Sequence, residues 1–187
     1  MFLVPSNKID NKKLLDSFEI IRDEYLSLMS EDFIDYISVR EGINNILNNG
    51  PSNNGESWQV YPIIYKSQVY PYKKKLRTAE ILMDLGVTPI LSAFSNLAGN
   101  SEIAPHRDYD ENTVGGYSKV IKYHLSLSTP VDGECMLGHG VGQEREAREL
   151  KAGDLNVFDE SITHWVKNNG SSTRGVLLIS FLKKDIY

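Results

Sequence analysis

The chain has 187 residues, 41% hydrophobic and 24% charged, the composition of an ordinary globular protein large enough for one real core. A formal net charge of −5 argues against a binder of phosphate backbones. No run approaches the ~20 apolar residues of a membrane span, and Met1-Phe2-Leu3-Val4-Pro5 is too short for a signal peptide. Neither nucleic acid nor membrane is therefore an expected partner. The single cysteine, Cys135, cannot form an internal disulfide and fits a reducing cytoplasm.

In chain order, Leu14, Phe18, Ile21, Tyr25 and Leu28 recur at four- and three-residue steps, the stripe of an amphipathic helix. Phe33, Ile34, Ile37, Ile43, Ile46 and Leu47 suggest a second, less regular helical stretch, ended by the turn-rich Asn48 to Gly55. Trp58 to Tyr65 reads as a strand interrupted by Pro62. Lys73-Lys74-Lys75-Leu76-Arg77 reads as a solvated opening to a helix over Thr78 to Leu85, which Gly86 ends. From Pro89 the pattern changes to short apolar or alternating runs: Ile90–Leu97, Val120–Leu127, Cys135–Leu137, Leu155–Phe158 and Val176–Leu182. Strands at such spacing indicate a β-sandwich or barrel. The expectation is a single domain over 1–187, mainly β, with a helical region at 1–55 packed outside a β core at 56–187.

The chemistry concentrates in His106-Arg107-Asp108 and in His164. Side chains at i and i+2 of a strand share a face, so His106 and Asp108 can reach one metal, with His164 arriving from a neighbouring segment. Two imidazoles and a carboxylate on one side of iron(II) leave the other side open; the same ligands also suit catalytic zinc, and surface polar residues would give the same letters. His164 itself reads as lying in a loop after Gly153 to Asp159. In Val120 to Leu127, the residues Lys122, His124 and Ser126 share a face, which is costly if buried without partners and unremarkable on an edge strand in water. Arg174 precedes the apolar Gly175-Val176-Leu177-Leu178-Ile179, where an arginine can grip a carboxylate at two points or simply sit at the surface. Tyr61, Tyr65, Tyr70 and Tyr72 either line an entrance or pack in a core. His139 belongs to no pattern.

Several segments together carry a resemblance. Thr78-Ala79-Glu80-Ile81-Leu82, Ala93-Phe94-Ser95-Asn96-Leu97-Ala98-Gly99, Ile103-Ala104-Pro105-His106, Lys122 to Leu127, Gly153 to Ser161, His164 and Arg174-Gly175-Val176-Leu177-Leu178 resemble, in this order, the aspartyl/asparaginyl β-hydroxylase family. The resemblance implies a double-stranded β-helix (jelly-roll, cupin-like) barrel and an Fe(II)- and 2-oxoglutarate-dependent dioxygenase. It implies that His106 and His164 ligate iron, with Asp108 as the carboxylate where some members, the animal enzymes among them, carry glycine. That carboxylate also speaks against halogenation. Ser95 and Arg174 would hold the distal carboxylate of 2-oxoglutarate; Lys122, where the family often has arginine, and His124 would contact its chelating end. O2 is the implied oxidant, and Asp110 to Ser118 are expected to form an inserted loop over the site. The expected substrate is a free amino acid, a short peptide or another small polar metabolite, with a protein side chain second. A zinc-dependent hydrolase and a non-catalytic metal-binding barrel are the competing readings.

Overall fold

Period-two alternation dominates the C-terminal two thirds of the chain, and the fold is accordingly built on antiparallel sheets. The computed structural model describes residues 2–35, 58–71, 74–107, 120–140, 142 and 145–187. Among these residues the strands are β1 (Ile34–Asp35), β2 (Trp58–Tyr65), β3 (Gln68–Val69), β4 (Leu91–Leu97), β5 (Ser101–His106), β6 (Val120–Ser128), β7 (Cys135–His139), β8 (Glu146–Glu149), β9 (Leu155–Asp159), β10 (His164–Asn168) and β11 (Arg174–Leu182). They form two sheets. The larger has the order β1-β2-β4-β11-β6-β9 with β3 beside β2, and the smaller has β5-β10-β7-β8. From β4 onward the chain passes back and forth between the sheets, which is the winding of a double-stranded β-helix.

Both faces of the larger sheet are covered, one by the helices and the other by the smaller sheet. Ile121, Tyr123 and Leu125 of β6, Phe94 of β4 and Leu177, Ile179 and Phe181 of β11 point one way, into a cluster shared with Leu14, Ile21, Tyr25, Ala79 and Leu82 of the helices. Each such side chain stabilises the fold by roughly 1.5–3 kcal/mol when fully buried. The opposite face meets the smaller sheet, where Leu97 and Phe158 pack on Ile103, Cys135, Leu137 and Val166. Beyond that apolar cluster the space between the sheets is polar, lined by histidines, serines and an arginine.

The helices sit outside, as the apolar stripe requires. α1 (Asn11–Asp16) starts at Asp10, whose side chain accepts from the Lys13 amide. α2 (Phe18–Leu26) buries Ile21 and Tyr25. α3 (Arg77–Met83) has no cap of its own; Glu24 of α2 supplies one, its carboxylate accepting from the amides of Arg77 at 2.6 Å and Thr78 at 2.7 Å. Gly86 follows at φ +88°, the left-handed geometry glycine tolerates best. The chain closes with α4 (Lys183–Ile186).

Two expectations change and two open alternatives close. Ile34 opens a strand paired with Val60, where the sequence suggests helix; Ile37 to Leu47 lie outside the described residues. β6 is interior, between β11 and β9, so its Lys122-His124-Ser126 face meets the second sheet and not water. His164 begins a strand where a loop is expected. Of the four tyrosines, Tyr61 belongs to the helix-side core with Phe94 and Phe33, Tyr65 and Tyr70 are exposed, and Tyr72 lies outside the described residues.

Candidate active site

His106 ends β5, His164 begins β10, and the two are partners in the antiparallel register. Partners in such a pair project to one face, and the two ring centroids lie 4.3 Å apart. Each ring is oriented in the same way, by the carbonyl two residues before it. Nδ1 lies 2.7 Å from the Ala104 carbonyl in His106 and 3.0 Å from the Ile162 carbonyl in His164. A carbonyl only accepts, so both Nδ1 atoms carry a hydrogen, and in the neutral ring the lone pair is then on Nε2. That is the tautomer of a histidine prepared for a metal. Arg107 braces the pair from outside, its Nε donating to Thr163 Oγ1 at 3.2 Å. Among the described residues no group of three histidine, cysteine or carboxylate side chains is placed to share a metal; Asp108 and residues 110–118, where the sequence suggests an inserted loop, lie outside them.

The facing sheet supplies the remaining residues. In its register Ser95 of β4 and Ser126 of β6 flank Val176 of β11, while Arg174, two residues earlier, stands opposite Leu97. One step along, His124 lies opposite Leu178 and Asn156; the next step sets Lys122 opposite Ser180 and Phe158. Arg174 is 2% exposed, the largest of the fully buried side chains, and its Nε and Nη2 have no hydrogen-bond partner among the described residues. Burial disfavours its charged form, yet a guanidinium does not give up its proton in a protein. The result is a permanent cation held ready for an anion. Ser95 Oγ accepts from the Trp58 indole at 2.9 Å, which leaves the hydroxyl hydrogen for a further acceptor.

Some residues that matter here have no sequence signal of their own. The fully buried ring of Phe158 lies 5.1 Å from His164, 4.8 Å from His124 and 5.7 Å from His139. Together with the His106–His164 contact, it gathers all four histidines of the chain into one group. His139 is opposite His164 in register, and its Nε2 lies 3.3 Å from the Asp159 carbonyl. Burial holds it below its ordinary value, in the neutral form. Lys122 is met by Glu160 at 3.0 Å, both largely buried. The Phe158-Asp159-Glu160 stretch is legible in the sequence only as part of a longer motif.

Residues 16–184 match the aspartyl/asparaginyl beta-hydroxylase family. The chain belongs to that family. It lies within the Fe/2-oxoglutarate oxygenase superfamily, and membership supports a metal-dependent oxygenase chemistry. No curated protein matches the chain in sequence. Among solved structures, a predicted oxalate decarboxylase from Thermotoga maritima is 14% identical, with 67% of this chain and 80% of that one covered and a TM-score of 0.41. A Lactobacillus farciminis oxalate decarboxylase is 18% identical over 75% of this chain and 33% of its own, with a TM-score of 0.43. A recombinant oxalate oxidase is 11% identical over 68% of this chain, which spans about half of the oxidase (52%), with a TM-score of 0.41. Likenesses this slight carry no argument about this member of the hydroxylase family, whose fold is read from its own sheets.

Proposed function

We propose that this protein is an Fe(II)- and 2-oxoglutarate-dependent dioxygenase that hydroxylates an unactivated C–H bond of a free amino acid, a short peptide or another small polar metabolite. The observation that carries the reading is Arg174. A zinc hydrolase would use the two histidines equally well, but it has no need of a buried guanidinium on the facing sheet whose Nε and Nη2 have no hydrogen-bond partner among the described residues. A small dicarboxylate accounts for both features at once.

His106 and His164 would hold the iron through Nε2, and Asp108 would be the carboxylate ligand. When bound, the iron supplies the O2 activation that couples oxidation of 2-oxoglutarate to oxygen insertion into the substrate. The chain supplies position and charge. Arg174 neutralises the distal carboxylate where water is scarce, so the pair is worth more than in solution, and Ser95 adds a hydroxyl donor. His124, whose ring meets the same Phe158 ring that His164 meets, would face the chelating end. Lys122 contributes a donor there with its charge already balanced by Glu160. The lone thiol, Cys135, is buried, and a cytoplasmic setting keeps it reduced. Among the described residues no helix is long and apolar enough to cross a membrane.

The test is an anaerobic titration of the Fe(II)-loaded protein with 2-oxoglutarate, following the weak visible charge-transfer band of the chelate. The expected result is a saturable band in the wild type that is absent in Arg174→Ala and His106→Ala. Folded, iron-loaded wild type without the band would overturn the reading.

A further inference from the structure

Two more polar side chains lie on the inner face of the larger sheet, and the chemistry assigned to Arg174, Ser95, Lys122 and His124 does not use them. Ser126 is fully buried and Asn156 is 4% exposed. Ser126 sits across Val176 from Ser95, and Asn156 sits beside His124 one row further on, roughly 7 Å along the strands. Ser126 Oγ and Asn156 Nδ2 have no hydrogen-bond partner among the described residues, the same condition as Arg174 Nε and Nη2. Elsewhere in the barrel the fold satisfies such groups. Buried Ser92 donates to the Leu178 carbonyl at 2.8 Å, and buried Asn168 donates to the carbonyls of Leu97, Ala98 and Ser172. A barrel that meets those polar groups so fully has no folding reason to leave three orphans on one face, since each costs stability.

We propose that Ser126 and Asn156 are co-substrate-binding residues. Ser126 joins Arg174 and Ser95 as the third donor to the distal carboxylate, and the Asn156 amide donates to the 2-oxo-acid end beside His124. The orphans then form one stripe, Arg174 to Ser126 to Asn156, whose spacing suits a dicarboxylate that extends across two rows. The cradle thereby selects 2-oxoglutarate over 2-oxo acids that lack the distal carboxylate. This proposal rests on the 2-oxoglutarate reading and adds two residues to it.

Calorimetric titration of the Mn(II)-loaded protein with 2-oxoglutarate and with 2-oxobutyrate tests it without turnover. In Ser126→Ala, 2-oxoglutarate binding weakens about tenfold, the loss of ~1.4 kcal/mol expected for a hydrogen bond to a charged group, while 2-oxobutyrate binding is unchanged. In Asn156→Ala, and in the volume-keeping Asn156→Leu, both ligands weaken by a similar factor. The ligand-free variants melt at or above the wild-type temperature, because an orphan has been removed; a structural role would lower it. If the variants bind 2-oxoglutarate within twofold of wild type while Arg174→Ala does not bind it, the proposal falls and the cofactor reading stands. If the wild type binds no 2-oxoglutarate, both fall.

Discussion

Arg174 combines a permanent charge with a site that offers its Nε and Nη2 no partner among the described residues. Burial of such a group costs several kcal/mol, and the chain tolerates that cost at the first residue of its central strand. The consequence is a sign that can be measured. Arg174→Met keeps the volume and removes the orphan, so the ligand-free variant is expected to be as stable as wild type or more stable by about 1–4 kcal/mol, while 2-oxoglutarate binding is lost. Urea denaturation of the two proteins checks the first half, and a decrease in stability would assign the guanidinium a structural partner. The residues whose type announces their chemistry are legible in the sequence: His106, His164, Arg174 and Ser95 all fall between the two sheets. Phe158 and Glu160 carry no such signal. A phenylalanine reads as core whether it packs on leucines or on histidines, and the Lys122–Glu160 pair exists only because β6 and β9 are neighbours.

At the scale of elements, legibility follows apolar content. β4, β6, β9 and β11 are rich enough in branched and aromatic residues to be read directly. β8, Glu146-Ala147-Arg148-Glu149, is an edge strand with charges along it, and only its ladder to β7 makes it a strand. β10 alternates inward His164, Val166 and Asn168 with outward Trp165 and Lys167, a period-two pattern in which polar inward residues mask the usual signal. Trp165 also explains a glycine. Its ring lies against Gly138 of β7, where a Cβ would fall 1.9 Å from the indole, and the Arg145 guanidinium lies over it at 4.6 Å. Gly138→Ala is therefore expected to destabilise the protein by about 1–3 kcal/mol. The double variant with Trp165→Ala should recover part of that loss, a non-additivity that a double-mutant cycle by denaturant unfolding would detect. Additive effects would show that the indole does not constrain Gly138.

At the scale of the molecule, the helices and barrel are legible because periodicity and turn residues report them, whereas closure of the barrel depends on contacts between distant segments. The sheets leave a seam between the edge strands β8 and β9, and the N-terminal segment fills it. The Leu3 amide donates to the Val157 carbonyl of β9, the Phe2 amide donates to Glu146 of β8, and the Phe2 ring lies between Arg148, His139 and Phe158. The same segment is fixed to the helix-side core by Tyr123, whose buried hydroxyl accepts from the Ser6 amide at 2.8 Å. Burial pushes the Tyr123 phenol up from its ordinary 10.0 to about 12. The unfolded chain therefore loses this proton first, and between pH 10.0 and about 12 the folded state binds more protons than the unfolded one. Stability from Tyr123 is fully present below pH 10.0 and declines as the pH rises through that window, by on the order of 2 kcal/mol. Tyr123→Phe removes the titration and also the acceptor for Ser6. The variant is expected to be about 1 kcal/mol less stable than wild type near neutral pH and to lose less stability than wild type on going to alkaline pH. Urea midpoints of both proteins on either side of pH 10.0 make the comparison, and since every other lysine and tyrosine is common to the two, parallel alkaline declines would show that Tyr123 ionises freely in the folded state.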